Sequence, residues 1–147
     1  LAEDRNLNQG KDDEFLLRFL RYHKFAPELA LKTFKIYHRS HTKERDIYTN
    51  LLPSELENVF SKNLVGVLPD RDPVGRMVLV LRAGSWKPSE LTFVNMMRGI
   101  MICFEYIMTQ PSAQVEGICM LCDMEGWDNS SLMSVPVSRL KMLAGIW

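Results

Sequence analysis

Gly117 to Trp127, GICMLCDMEGW, is the stretch on which the reading of this chain turns. It holds a Cys-x-x-Cys pair, Cys119 and Cys122, with Asp123 and Glu125 close behind. Read as a site, it would bind a metal or carry redox chemistry. Read as structure, it is an apolar strand that contains sulfur and ends at an acidic turn. Strand side chains alternate between faces, so residues three apart point opposite ways. Ile118, Met120 and Cys122 then share one face, and Cys119, Leu121 and Asp123 the other. A zinc ion would want two further ligands. Cys103 lies in an apolar helical segment, and His23, His38 and His41 lie far upstream in a basic setting that disfavours a cation. A thioredoxin-like pair sits at a helix N-terminus, where the dipole lowers the thiol pKa, whereas these cysteines sit inside the strand. Neither a metal nor a redox role is expected.

Outward from the strand, the texture is that of an α/β protein with a helical leader. Asp12, Asp13 and Glu14 precede FLLRFLRYHKF, where Phe15, Leu16, Phe19 and Leu20 form an apolar face. The acids before it and Arg21 and Lys24 after it complement a helix dipole. Pro27 reads as the first residue of a second helix, with Glu28 in its first turn. Leu31, Phe34 and Tyr37 or His38 are expected on its inner side. LLPSELENVF allows a short helix after Pro53. NLVGVLPDRDPVGRMVLVLRAGSW then carries two β-branched runs around a turn expected from Pro69 to Arg76, a hairpin signal. Pro88 and Ser89 open a long helix, SELTFVNMMRGIMICFEYIMTQ, apolar on nearly every side. Asn95, Arg98, Glu105 and Thr109 make a narrow polar stripe on it, and such a helix should be buried. Pro111 ends it, the strand follows over AQVEGICMLCDMEGW, and Asp128 to Ser131 cap a last helix that includes Leu140, Leu143 and Trp147. Strand, helix, strand and helix imply an α/β sheet.

The 147 residues are 46% hydrophobic and 24% charged, enough to bury a core. Basic and acidic residues both number 18, so net charge argues neither for nor against nucleic acid. The charge is uneven, however. From Arg18 to Arg45 eight basic residues face only Glu28 and Glu44, a local +6, and all three histidines lie there. That patch suits an anionic partner such as a phospholipid headgroup, or is the solvated face of two helices. Three cysteines in apolar surroundings fit a reducing, cytoplasmic compartment. LAEDRNLNQG has no apolar leader core, and no apolar run approaches a membrane span. The chain opens without Met and stops within an expected helix, SRLKMLAGIW, so a fragment truncated at both ends is expected.

Catalytic signatures are missing. The sequence has no Gly-x-Ser-x-Gly elbow, no His-Glu-x-x-His and no Gly-rich phosphate loop. Asp123 and Glu125 could act as an acid/base pair, but strand-end carboxylates more often accept backbone or arginine hydrogen bonds. What stands out is apolar load: Met96, Met97, Ile100, Met101, Phe104, Ile107 and Met108 share one helix. Flexible thioethers fill irregular cores and also line adaptable cavities.

DDEFLLRFLRYHKFAPELALKTFKIYH resembles the helical leader of the CRAL-TRIO family. GVLPDRDPVGRMVLVLRAGSWKP resembles the family's first strand pair, and VEGICMLCDMEGW its Gly-hydrophobic-Asp-x-x-Gly strand. The motifs stand in the family's order over nearly the whole chain. The resemblance implies a helical N-terminal domain over residues 1–60. It implies that residues 61–147 are the N-terminal part of an α/β lipid-binding domain, the C-terminal half being absent. It further implies a monomeric, non-enzymatic carrier of one hydrophobic molecule of the tocopherol, retinoid or phosphoinositide class. Such a carrier is cytoplasmic, exchanges its cargo at phosphoinositide-containing membranes, and needs no cofactor, metal or nucleic acid. The same motifs also head lipid-sensing modules of larger signalling proteins. In the tocopherol-binding branch the cavity positions match Met97, Ile100, Phe104, Ile118, Cys122, Val135, Leu143 and Ile146 here. Relatives hold serine at two of the helix positions, Ile100 and Phe104, so this wall is drier and bulkier. The membrane-contact positions match Arg18, Arg21 and His23, the last replacing an arginine, which makes that contact pH-sensitive.

Overall fold

The computed structural model describes residues 12–137 and 139. The Asp12 carboxylate accepts the Phe15 N–H at 2.6 Å, satisfying one of the donors a helix start leaves free, and α1 (Asp13–Tyr22) follows. Its end is closed by two bonds, Lys24 N–H to the Arg21 carbonyl and Phe25 N–H to the Leu20 carbonyl, the pair that makes a Schellman cap. Lys24 (φ 51°) and Phe25 (φ 62°) both take left-handed backbone there, a conformation that favours glycine.

Pro27 is the first residue of α2 (Pro27–Lys43), as its fixed φ suits. The inner line of α2 is Ala30, Phe34, Tyr37 and His41 rather than one through Leu31, which is exposed, as is Leu16 of α1. The two helices meet along a narrow stripe filled by rings. Phe15, Phe19, Phe34 and Tyr37 pack edge to face with centroids 5.3 to 6.4 Å apart, the arrangement ring quadrupoles prefer. A four-residue helix that the sequence did not announce, α3 (Arg45–Tyr48), comes next. After it a 3-10 turn at Pro53–Leu56 leads into α4 (Glu57–Phe60), the short helix expected after Pro53.

β1 (Val65–Arg71) and β2 (Met77–Arg82) form the hairpin, Val65 opposite Leu81 and Val67 opposite Leu79. β1 runs on through Pro69, which was expected in the turn; the register slips between Val67 and Arg71, and an irregular outer strand tolerates a residue with no N–H. The turn itself is clamped by one carboxylate. Asp72 Oδ1 accepts the N–H groups of Val74 (3.0 Å) and Arg76 (2.8 Å), and Oδ2 accepts Arg76 Nε at 2.7 Å.

The Thr92 hydroxyl accepts the Asn95 N–H at 3.2 Å and starts α5 (Phe93–Met108). The helix therefore begins later than Pro88 and Ser89. The residues before it instead form a turn whose Leu91 carbonyl accepts the indole N–H of buried Trp86 at 2.8 Å. Pro111 opens a short helix, α6 (Pro111–Glu116), where strand was expected; β3 (Ile118–Asp123) begins only after Gly117, at φ 82°. β3 lies parallel to β2, from Met77 beside Ile118 to Arg82 beside Asp123, and α5 supplies the crossover that a parallel pair needs. Asp128 caps α7 (Asn129–Met133) by accepting the Ser131 N–H at 2.8 Å. The expected continuation through Leu140, Leu143 and Trp147 lies outside the described residues.

Registered neighbours share a face, so Val65, Val67, Met77, Leu79, Leu81, Ile118, Met120 and Cys122 line one side of the sheet. α5 packs there, with Leu79, Met97 and Ile107 almost fully buried in the same core. Gly99 lets the helix sit close: a methyl at that position would lie 2.7 Å from Val59 Cγ1 and 3.0 Å from Val65 Cγ1. No helix of the described residues is long and apolar enough to cross a membrane.

A tighter approach occurs at Gly84, where a Cβ would land on the Glu125 carbonyl, whereas one at Gly66 meets nothing within 4 Å. Backbone on backbone cannot yield as a side chain can. Gly84→Ala is therefore expected to lower stability in urea unfolding by about 3 kcal/mol. Gly66→Ala should be neutral or raise stability by up to about 1 kcal/mol.

Candidate functional site

The apolar wall is built on α5 and β3. Met97, Ile100 and Phe104, at i, i+3 and i+7, share one side of the helix. Met97 and Ile100 are buried and Phe104 is half-buried against the core. On β3, Ile118 is half-buried and Cys122 exposed, and both lie on the face that α5 covers. Val135, just past α7, is buried in the same cluster. Leu143 and Ile146 fall outside the described residues.

β3 ends the sheet among the described residues. Met120 is 41% exposed and Leu121 55%, so this edge shows apolar side chains on both of its faces. Two surface hollows are lined by other residues. One is polar, at Ser54, Glu55, Glu57, Asn58 and Ser61. The other, about 280 Å³, lies along the hairpin between Asn63 and Arg82, over Gly66 and Val80.

The two cysteines do not cooperate. They fall on opposite faces of β3, in register with Val78 and Leu81. Burial, with help from Asp123, raises the Cys122 thiol, and burial pushes Cys103 up to about 11. Such thiols stay protonated and are poor nucleophiles. Among the described residues no group of three or more His, Cys, Asp or Glu is placed to hold a metal. Asp123 Oδ1 accepts the Glu125 N–H at 3.0 Å and so closes the strand, and both carboxylates are exposed.

The residues matched to membrane contact are engaged within the molecule. Arg18 Nη1 donates to Glu105 Oε2 at 3.0 Å, and its guanidinium lies 4.4 Å from the Phe15 ring centroid. Arg21 Nη1 donates to Gln114 Oε1 at 2.6 Å. The His23 ring is hydrogen-bonded to the Thr33 hydroxyl at 2.7 Å. Two arginines reach the other way. Arg98 donates to the carbonyls of Asp46 (3.2 Å), Thr49 (2.7 Å) and Asn50 (2.7 Å), which end α3. Arg139 pairs with Glu44 and, at 2.5 Å, with Asp46. Arg98, Glu105 and Arg139 are the residues whose role the sequence left unassigned. The narrow polar stripe of α5 was the available signal for the first two.

At the centre of this seam, Glu105 also accepts the Tyr37 hydroxyl at 2.9 Å. Burial, and then the Glu105 carboxylate, push the Tyr37 phenol up, so it remains a donor. His41 lies between the Tyr37 and Tyr48 rings, at centroid distances of 3.9 and 3.8 Å, and its Nδ1–H donates to the Tyr37 carbonyl at 2.9 Å. Burial lowers its pKa from 6.5, keeping the ring neutral in the stack.

Against known proteins, residues 61–146 match the family model described as the CRAL/TRIO domain. A Homo sapiens protein named alpha-tocopherol transfer protein-like is 36% identical over 121 residues, covering 82% of this chain and 35% of that protein. Its Mus musculus namesake is 36% identical over 120 residues, again 82% and 35%. Clavesin-1 of Xenopus laevis is 31% identical over 122 residues, 82% of this chain and 36% of that protein. The chain thus spans about a third of the length of these relatives.

Two outcomes are expected at the seam. Glu105→Ala leaves the Arg18 guanidinium and the Tyr37 hydroxyl without their acceptor, and should cost about 2 to 3 kcal/mol in urea unfolding. The Arg18→Ala, Glu105→Ala pair should cost less than the sum of its parts. For His41, the unfolded chain takes up a proton before the folded one. Stability is then complete above about pH 6.5 and falls as pH drops through that value toward the lower folded pKa. His41→Phe, which keeps an aromatic ring in the stack, should flatten that acid-side fall in melts recorded from pH 7.5 to 5.

Proposed function

The chain belongs to the CRAL/TRIO family, and on that premise we propose that it is part of a carrier for a hydrophobic small molecule. Its cargo would be of the tocopherol, retinoid or phosphoinositide class, taken up and released at anionic membranes from the cytoplasm. We read residues 1–60 as the helical N-terminal domain and residues 61–147 as the first part of the lipid-binding domain. The observation that carries this reading is the apolar wall left incomplete at β3. Met97, Ile100 and Phe104 on α5 and Ile118 and Cys122 on β3 lie on the same side of the sheet, with Ile118 packed against the core that holds Met97 and Ile100. Beside them Met120, Leu121 and Cys122 remain exposed at the end of the sheet. Val135 borders this wall, and Leu143 and Ile146 are its proposed continuation.

Binding in such a site rests on burial, about 25 cal/mol for each Å² of apolar surface removed from water. Catalysis is not proposed: Asp123 is tied to the Glu125 backbone, and burial raises the Cys103 and Cys122 thiols. Ile100 and Phe104, where the resemblance places serine in relatives, favour a cargo with no polar group at that wall. Arg18 and Arg21, bonded to Glu105 and Gln114, would serve membrane exchange by fixing the helical leader in place.

The test is native mass spectrometry with lipid extraction, on the longest natural polypeptide that contains this chain. It would be supplied with a tocopherol, a retinoid and a phosphoinositide. One lipid per chain is expected. Phe104→Asp, at a half-buried position, should lower occupancy at least about tenfold, since a charge is costly against an apolar ligand. Recovery of no stoichiometric lipid from cells or from the supplied panel would sink the proposal.

A further inference from the structure

We infer that the outward face of α2, together with the α1–α2 corner, is a docking surface for an anionic lipid bilayer. The inference rests on the carrier reading above and supplies the surface through which exchange would occur. Leu29, Lys32, Ile36 and Arg39 fall at i, i+3, i+7 and i+10, one stripe of the helix, on the side away from Ala30, Phe34, Tyr37 and His41. Leu29 is 51% exposed and Ile36 47%. At the head of the stripe stands Phe25, 60% exposed. It is held outward by a helix cap whose two left-handed residues, Lys24 and Phe25, are not glycine.

The cations of this face are uncommitted. Among the described residues Lys24, Lys32, Lys35 and Arg39 take part in no ion pair. The only acid nearby on the helix is Glu28. The inward arginines, by contrast, are all spent on the seam. A convex helix face that alternates aliphatic side chains with long, flexible cations fits the plane of a membrane interface. Its apolar side chains can enter the acyl boundary while the lysine stems reach back to the headgroups. A protein partner fits less well, because lysine is depleted from the cores of protein interfaces.

Sedimentation with phosphatidylcholine vesicles, with and without phosphatidylserine, tests the inference on the full chain. Binding is expected only with phosphatidylserine and should weaken with added salt. Lys32→Glu with Arg39→Glu should lower it at least about tenfold, and Phe25→Ser by roughly tenfold. These positions are exposed, so unchanged circular dichroism and melting temperature identify folded variants. Lipid cargo measured by native mass spectrometry on the same variants should be unaffected. Absence of vesicle binding by the unaltered chain, or equal binding by the variants, overturns the inference while leaving cargo binding standing. Capture by immobilised polyglutamate but not by vesicles also overturns it, in favour of an acidic protein. Absence of cargo from every variant instead overturns the carrier reading.

Discussion

α5 has almost no side it can show to water. Phe93, Met96, Met97, Gly99, Ile100, Met101, Cys103 and Ile107 are all buried, and a helix of that kind is stable only when enclosed. The sheet encloses one side, with Gly99 letting α5 settle onto Val59 and Val65. The helical leader encloses another. The leader's position is set by two charged groups that α5 carries, Arg98 and Glu105, seven residues apart on one stripe. A half-buried carboxylate needs donors, and Arg18 and Tyr37 of the leader supply them. A guanidinium has five donors in a fixed fork, and the carbonyls at the end of α3 accept from it. The leader is thus docked by hydrogen bonds that have little alternative once α5 is covered.

The basic charge is divided between the inside and the outside of the fold. Arg18 and Arg21 face inward from the leader, and Arg98 and Arg139 reach back to it. Lys24, Lys32, Lys35 and Arg39 remain outside. The inward positions are arginines because a planar, weakly hydrated fork suits partly buried multidentate contacts, and a compact, strongly hydrated ammonium does not. A local charge of +6 therefore does not translate into a +6 surface. Part of it is internal mortar, and the part that faces water is concentrated on α2.

The same logic explains why the apolar wall is open at one end. β3 is paired only to β2 among the described residues, and its side chains alternate, so Met120 and Leu121 emerge on opposite faces. A strand apolar on both faces belongs inside a sheet covered on both sides. Within the described residues α5 covers part of one face.

Much of the architecture was readable from local chemistry. The acids ahead of α1, the cap at Asp128, the proline start of α2 and the alternation in β3 each rest on a few residues whose geometry leaves few options. The separation of Cys119 from Cys122 followed from that alternation, and the α/β class from the order of strands and helices. Where the sequence misled, longer-range packing had decided. Thr92, not Pro88, starts α5 because Trp86 takes the Leu91 carbonyl and holds the preceding turn. The segment at Ala113 is helical because Gln114 is needed inside, donating to the Met108 carbonyl and accepting from Arg21. Which basic residues are structural and which are free could not be seen in a list of charges. It depends on whether a carboxylate or a carbonyl lies within about 3 Å once the chain has folded, and only the tertiary structure brings Arg18 to Glu105 across 87 residues.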